Sequence, residues 1–149
     1  MIGWFYLHTN GSLIFKRELD DTAADIRESP FAVGLWSFNS RDREQAWTIL
    51  VEALAAGANK DRIDELAKKW TCTDDDALIF AQRIGVRLFM DGDAWCAVTT
   101  RFTNLQESTT GFGDTALEAL AGLAKELGYK PSKMWGNSFA KLLKRQGDK

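Results

Sequence analysis

An α+β fold is predicted by three observations on this sequence of 149 residues. Two aromatic-rich runs, "GWFYLHT" and "SLIFKR", flank Asn10 and Gly11, and Asn-Gly favours the positive φ angles of a tight hairpin turn. Between residues 41 and 84 three consecutive segments repeat their apolar residues at helical spacing. The period then returns to two before a last apolar helix. These observations predict an antiparallel sheet with an N-terminal β-hairpin, central helices and a C-terminal αβββα unit. The length suits one domain with a sizeable core; we place it over residues 1–129, followed by a basic tail over 130–149.

The hairpin spans residues 3–17. "ELDDTAADIRESP" reads as polar and irregular, and "FAVGLWSFN" as a third strand or a packed loop. In the first central helix Trp47, Leu50, Val51 and Leu54 fall at i, i+3, i+4, i+7, with Gly57 placed to terminate it. The second carries Ile63, Leu66, Ala67 and Trp70 at the same spacing. The third opens on Thr73 and Asp76, a Ser/Thr-x-x-acid start, buries Ala77, Phe80, Ala81 and Ile84, and ends at Gly85. "VRLFM", the turn "DGD" and "AWCAVTTRF" then form a second hairpin, with Cys96, Val98 and Phe102 on one face and Ala97, Thr99 and Arg101 on the other. "STTGF" supplies a short third strand, so that residues 86–128 read as βββα.

Composition narrows the function. With 45% hydrophobic residues, 27% charged and only two Pro, the chain is neither disordered nor fibrous. No basic leader precedes an apolar run and no segment approaches a membrane span, which predicts a soluble, cytoplasmic protein with no membrane partner. Cys72 and Cys96 stand far apart and outside any Cys-x-x-Cys pattern, so we expect buried free thiols and no zinc. The net charge of −2 hides an asymmetry: the tail holds Lys130, Lys133, Lys141, Lys144, Arg145 and Lys149 against Asp148 alone, leaving the body acidic. An acidic body argues against general affinity for nucleic acid.

The stretch "GFGDTALEALAGLAKELG" opens a helix through Gly-x-Gly, a pattern that can cradle phosphate. It also reads as a capped helix start. Thr115 accepts from the N–H three residues on, Glu118 reaches back, and Asp114 adds negative charge beside the positive helix end. The carboxylates already occupy the place an anion would take, so the cap outweighs the phosphate site and Gly111 and Gly113 become turn residues. The order helix, three strands, helix and the segment "FTNLQESTTGFGDTALEALAGLAKEL" resemble the double-stranded RNA-binding domain over about 55 residues. In that family lysines open the last helix, whereas Asp114, Thr115, Ala116, Leu117 and Glu118 stand here, and acids repel phosphate. "GDTALEAL" equally resembles the HicB-like antitoxins, which implies protein binding.

"RIDELAKKWTCTDDDALIFAQRIG" has helix-turn-helix lengths, but Asp74, Asp75 and Asp76 occupy the turn that would meet DNA. We expect Asp76 to serve the cap and Asp74 and Asp75 to project into solvent as a partner-facing patch. His8 is the only histidine and lies in a strand, a placement more often structural than catalytic. The acid pairs Asp20 with Asp21 and Asp91 with Asp93 suit turns better than magnesium. No catalytic residue, metal or cofactor is therefore assigned. In the tail, Trp135, Phe139, Leu142 and Leu143 recur at helical spacing among Lys141, Lys144 and Arg145; the helix either docks on the body or serves as a partner- or phosphate-binding arm. Candidate partner-binding residues are thus Asp74, Asp75, Trp135, Lys141, Lys144 and Arg145.

"FYLHTNGSLIFKR", "AWTILVEALAAGA", "LAKKW" and "FTNLQESTTGFGDT" resemble segments of uncharacterised phage and prophage proteins. That resemblance implies a small non-enzymatic protein that binds and modulates a host protein or nucleoprotein complex, as anti-defence and anti-CRISPR proteins do. An RNA- or DNA-binding module using the double-stranded RNA-binding-like fold and the basic tail is the alternative.

Overall fold

In the computed structural model, the described residues are 2–17, 23–39, 41–99, 109–133 and 139–147. Strands β1 (Ile2–His8), β2 (Leu13–Arg17) and β3 (Ala32–Asn39) form an antiparallel sheet in the order β2-β1-β3. Leu7 pairs with Leu13, and His8 N donates to Ser12 O at 2.8 Å, so the hairpin loop is wider than a two-residue turn. Gly11 carries the positive φ, +91°, and Asn10 instead accepts from Ser12 N through Oδ1 at 2.9 Å. The glycine is required, as expected, but Asn10 acts through its side chain. The segment read as irregular contains a helix, α1 (Ala23–Glu28), whose Ile26 packs with Ala32, Leu35, Trp4 and Tyr6 on one face of the sheet. One turn and a half offers too little periodicity to be seen in sequence.

The opposite face of the sheet presents Phe5, Leu7, Leu13 and Phe15 to the main core. Helix α2 (Arg43–Ala55) lies between β3 and α5 (Ala116–Glu126), and α5 in turn packs on the second sheet. Flanked on both sides, α2 is buried nearly all round: Ile49, Leu50, Val51 and Ala53 are all inaccessible to solvent. The four-residue stripe expected from sequence is therefore only part of its buried surface. Helix α3 (Lys60–Lys69) buries Ile63 and Leu66, and Trp70 at its end stacks on Phe38 with centroids 4.9 Å apart, tying it to the first sheet. Helix α4 (Asp74–Ile84) starts at Thr73, whose Oγ1 accepts from Asp76 N, and stops at left-handed Gly85. Both ends match the sequence signals.

Strands β4 (Val86–Asp91), β5 (Ala94–Thr99) and β6 (Thr110–Gly113) form the second antiparallel sheet, in that order. Asp91 pairs with Ala94 across Gly92 and Asp93, and Gly92 has φ +64°. Cys96 and Val98 point away from α5 and Ala97 toward it, yet all three are buried; Arg101 and Phe102 lie outside the described residues. The Gly-x-Gly pair corrects the sequence reading. Gly111 and Gly113 are strand residues, not turn residues. A Cβ at Gly111 would stand 2.1 Å from Leu123 N and 2.2 Å from Ala119 O, and one at Gly113 2.4 Å from the Glu118 Cβ. The glycines let α5 lie directly against β6, which fills the space a phosphate would need. Helix α6 (Phe139–Gly147) closes the described chain with Phe139 and Leu143 buried in the main core.

Candidate functional site

The three acids at the start of α4 have different fates. Asp76 pairs with Arg43, whose guanidinium also donates to the carbonyls of Trp70 and Thr71. Thr71 has a positive φ of 51°, a strained conformation for a β-branched residue, and Arg43 braces it. Asp74 accepts from Ala116 N at 3.2 Å, so it caps α5 across the molecule as well as opening α4. Asp74 is exposed as expected, but its carboxylate is engaged by Ala116 N rather than free. Asp75 is exposed and has no partner among the described residues. At the α5 start, Thr115 Oγ1 accepts from Glu118 N at 3.2 Å, while Glu118 reaches Asp114 N at 3.0 Å and Lys60 Nζ at 2.9 Å. The Lys60 bond leads in holding the Glu118 carboxyl below the usual carboxylate range. The cap is real, and its carboxylate is already matched by a cation.

Beside α4 a cleft of about 480 Å³ separates that helix from the β3–α2 junction, within the range of ligand-binding clefts. Arg41, Asp42, Arg43, Glu44 and Trp47 line one wall. Asp76, Ile79, Phe80 and Arg83 line the other. The floor is the stacked Trp47–Phe80 pair, 5.9 Å between centroids. Ile79 rises from the α4 wall, 57% exposed. The junction is rigidly built: Asp42 caps α2 by accepting from Gln45 N at 3.1 Å, and Gln45 ties back to Asn39 N at 2.8 Å and Ser37 Oγ at 2.7 Å. Arg83 and Glu44 face each other at 3.9 Å, both largely solvated. The Arg41 guanidinium has no partner among the described residues.

A second cluster lies deep inside. Glu52, 2% exposed, accepts from Trp36 Nε1 at 2.9 Å and Tyr129 Oη at 2.8 Å on Oε1, and from Phe139 N at 3.0 Å on Oε2. Desolvation pushes its carboxyl above the ordinary carboxylate value, against the pull of these three donors. Burial likewise leads in raising the Tyr129 phenol, with the Glu52 charge adding to it. Glu52 thereby joins α2, β3, the segment after α5 and the first N–H of α6.

The remaining candidates are placed as follows. His8 Nδ1 accepts from Asn10 N at 3.0 Å and its ring stacks on Phe31, a structural role in the hairpin. Burial pushes the Cys72 thiol up to about 11, and also raises Cys96; this is opposite to what an activated thiolate needs. Among the described residues no group of three or more His, Cys, Asp or Glu is placed to hold a metal, and no helix is long and apolar enough to cross a membrane. Asp91 and Asp93 are exposed at the tip of the second hairpin, and Asp20 and Asp21 fall outside the described residues. Lys141 is exposed on α6. Trp135 and the side chains of Lys144 and Arg145 lie outside the described residues. Lys133 donates to Ser29 O at 2.8 Å, so that cation is engaged on the body.

Sequence reasoning did not single out Arg41, Glu44, Ile79 and Arg83, because the cleft joins residues 39–47 to residues 76–83, distant in the chain. One local signal existed: Leu78 and Ile79 are large apolar residues off the buried stripe of α4. No family model, curated protein or solved structure matches the chain.

Proposed function

We propose that the chain is a non-enzymatic binding protein whose cleft beside α4 engages a protein component of a host complex, in the phage setting that the sequence resemblance implies. The observation that supports this reading is the juxtaposition, in one cleft, of exposed Ile79, the largely buried aromatic floor of Trp47 and Phe80, and Arg41, whose guanidinium has no partner among the described residues. An apolar centre with a charged rim suits a partner's side chains. The rim alternates Arg with Asp and Glu, which disfavours a polyanion and favours a protein surface. Within this reading the acidic start of α4 reaches the cleft through Asp76, which is already paired with Arg43, while Asp74 is engaged by Ala116 N and Asp75 does not line the cleft.

The experiment is cross-linking with a photoreactive residue at position 79, and separately at Lys125 elsewhere on the surface, in a bacterial host lysate. The proposal expects one discrete protein adduct from position 79 that is absent from position 125 and lost in the Arg41→Asp variant. The same adducts from both positions, or none from position 79, would contradict it.

A further inference from the structure

The charges around the cleft are not equally available. Asp42 is occupied as the cap of α2, and Arg43 and Asp76 hold each other while Arg43 also serves two carbonyls. Glu44 and Arg83 balance at 3.9 Å. Among the described residues Arg41 is left as the unmatched charge on the rim, beside exposed Ile79 and the largely buried Trp47 and Phe80 rings.

We propose that the cleft takes an acidic and apolar segment of the partner protein: an aliphatic side chain laid on Ile79 over the Trp47–Phe80 floor, and a neighbouring Asp or Glu side chain paired with Arg41. The inference rests on the reading of the cleft as a protein-binding site and adds the chemistry of what enters it. A guanidinium offers a carboxylate a planar, two-pronged donor set. A single carboxylate fits a single free cation, whereas a phosphate chain would meet Glu44 and Asp76 as well. The volume of about 480 Å³ leaves room for more than one side chain. The pairing is solvated, so it contributes more to selection and encounter than to total affinity.

The test is a titration of the isotope-labelled full chain, read from its amide correlation spectrum, with three blocked peptides: acetyl-Gly-Leu-Glu-Leu-Gly-amide, its Gln counterpart, and acetyl-Gly-Gly-Glu-Gly-Gly-amide. The expected result is saturable movement of the Arg41, Glu44, Ile79 and Arg83 amides with the first peptide. The Gln peptide should move the same amides with roughly three- to fivefold weaker affinity, the range of an exposed ion pair, and the third should not saturate. In Arg41→Ala the first two peptides should bind alike, while Ile79→Asp should bind neither and keep a folded spectrum. Equal affinity of the Glu and Gln peptides for the wild type would overturn the carboxylate contact and leave the cleft reading standing. Saturation by the third peptide as readily as by the first would overturn the apolar contact. No saturable movement at these amides with either Leu peptide would overturn the inference and the cleft reading together. Movement of the same amides on concentrating the protein alone would put a second copy in the cleft and also overturn the inference.

Discussion

Burial of the Glu52 carboxylate sets the sign of one pH effect. Its folded value is raised, with desolvation the leading cause, so its contribution to stability is fully present below the ordinary carboxylate value and is lost as pH rises through the folded value. Glu118 works oppositely: its value is lowered, chiefly by Lys60, so its contribution holds above the ordinary value and falls away as acid protonates it. From the ordinary carboxylate value up to its raised folded value, Glu52 therefore lowers stability as pH rises. Glu52→Gln should flatten the fall in melting temperature over that interval; an unchanged slope would show that another group carries it. The other residue-scale prediction concerns Gly111. An added Cβ would meet the α5 backbone at Leu123 and Ala119 rather than a side chain that can turn aside, so Gly111→Ala should cost about 1–3 kcal/mol, the usual cost of overpacking. A loss below about 0.5 kcal/mol in chemical denaturation would mean that α5 can lift away from β6 freely.

At the scale of elements, α4 and α5 are joined end to end by Asp74, which opens one helix and caps the other. Asp74→Ala should cost about 0.5–2 kcal/mol as a lost cap, and Asp75→Ala should stay within about 0.5 kcal/mol as an exposed change. Equal losses in thermal or denaturant unfolding would remove the cross-helix cap. Apart from α1, the helices and both hairpins were legible in the sequence because most announce themselves locally: Thr73 and Thr115 as caps, Gly57 and Gly85 as stops, Asn10-Gly11 and Asp91-Gly92 as turns. What escaped was set by neighbours distant in the chain. The same two glycines serve a turn, a phosphate cradle or a close helix crossing, and only the position of α5 decides. Glu52 sits in an apolar run as one polar letter, and its three donors come from β3, from the residues after α5 and from α6. Asp74 read as free because its acceptor role depends on Ala116, far along the chain.

For the whole molecule, the two sheets with α2 and α5 between them form a core on which the cleft is a surface feature: its floor belongs to the core through Trp47 and Phe80, while its rim does not. That division predicts separable effects. Changes at Ile79 should leave folding intact and remove binding, changes at Arg41 should leave folding intact and remove the preference for a carboxylate, and changes at Phe80 should weaken both folding and binding. Selection of a random peptide library on the wild-type protein, repeated on Ile79→Asp, measures this most directly. The account predicts enriched peptides that pair an aliphatic residue with Asp or Glu and whose affinity falls about tenfold or more on Ile79→Asp, the loss of a central apolar contact, with the melting temperature unchanged. Peptides enriched on the wild type that bind Ile79→Asp equally well would contradict it and place recognition on another face.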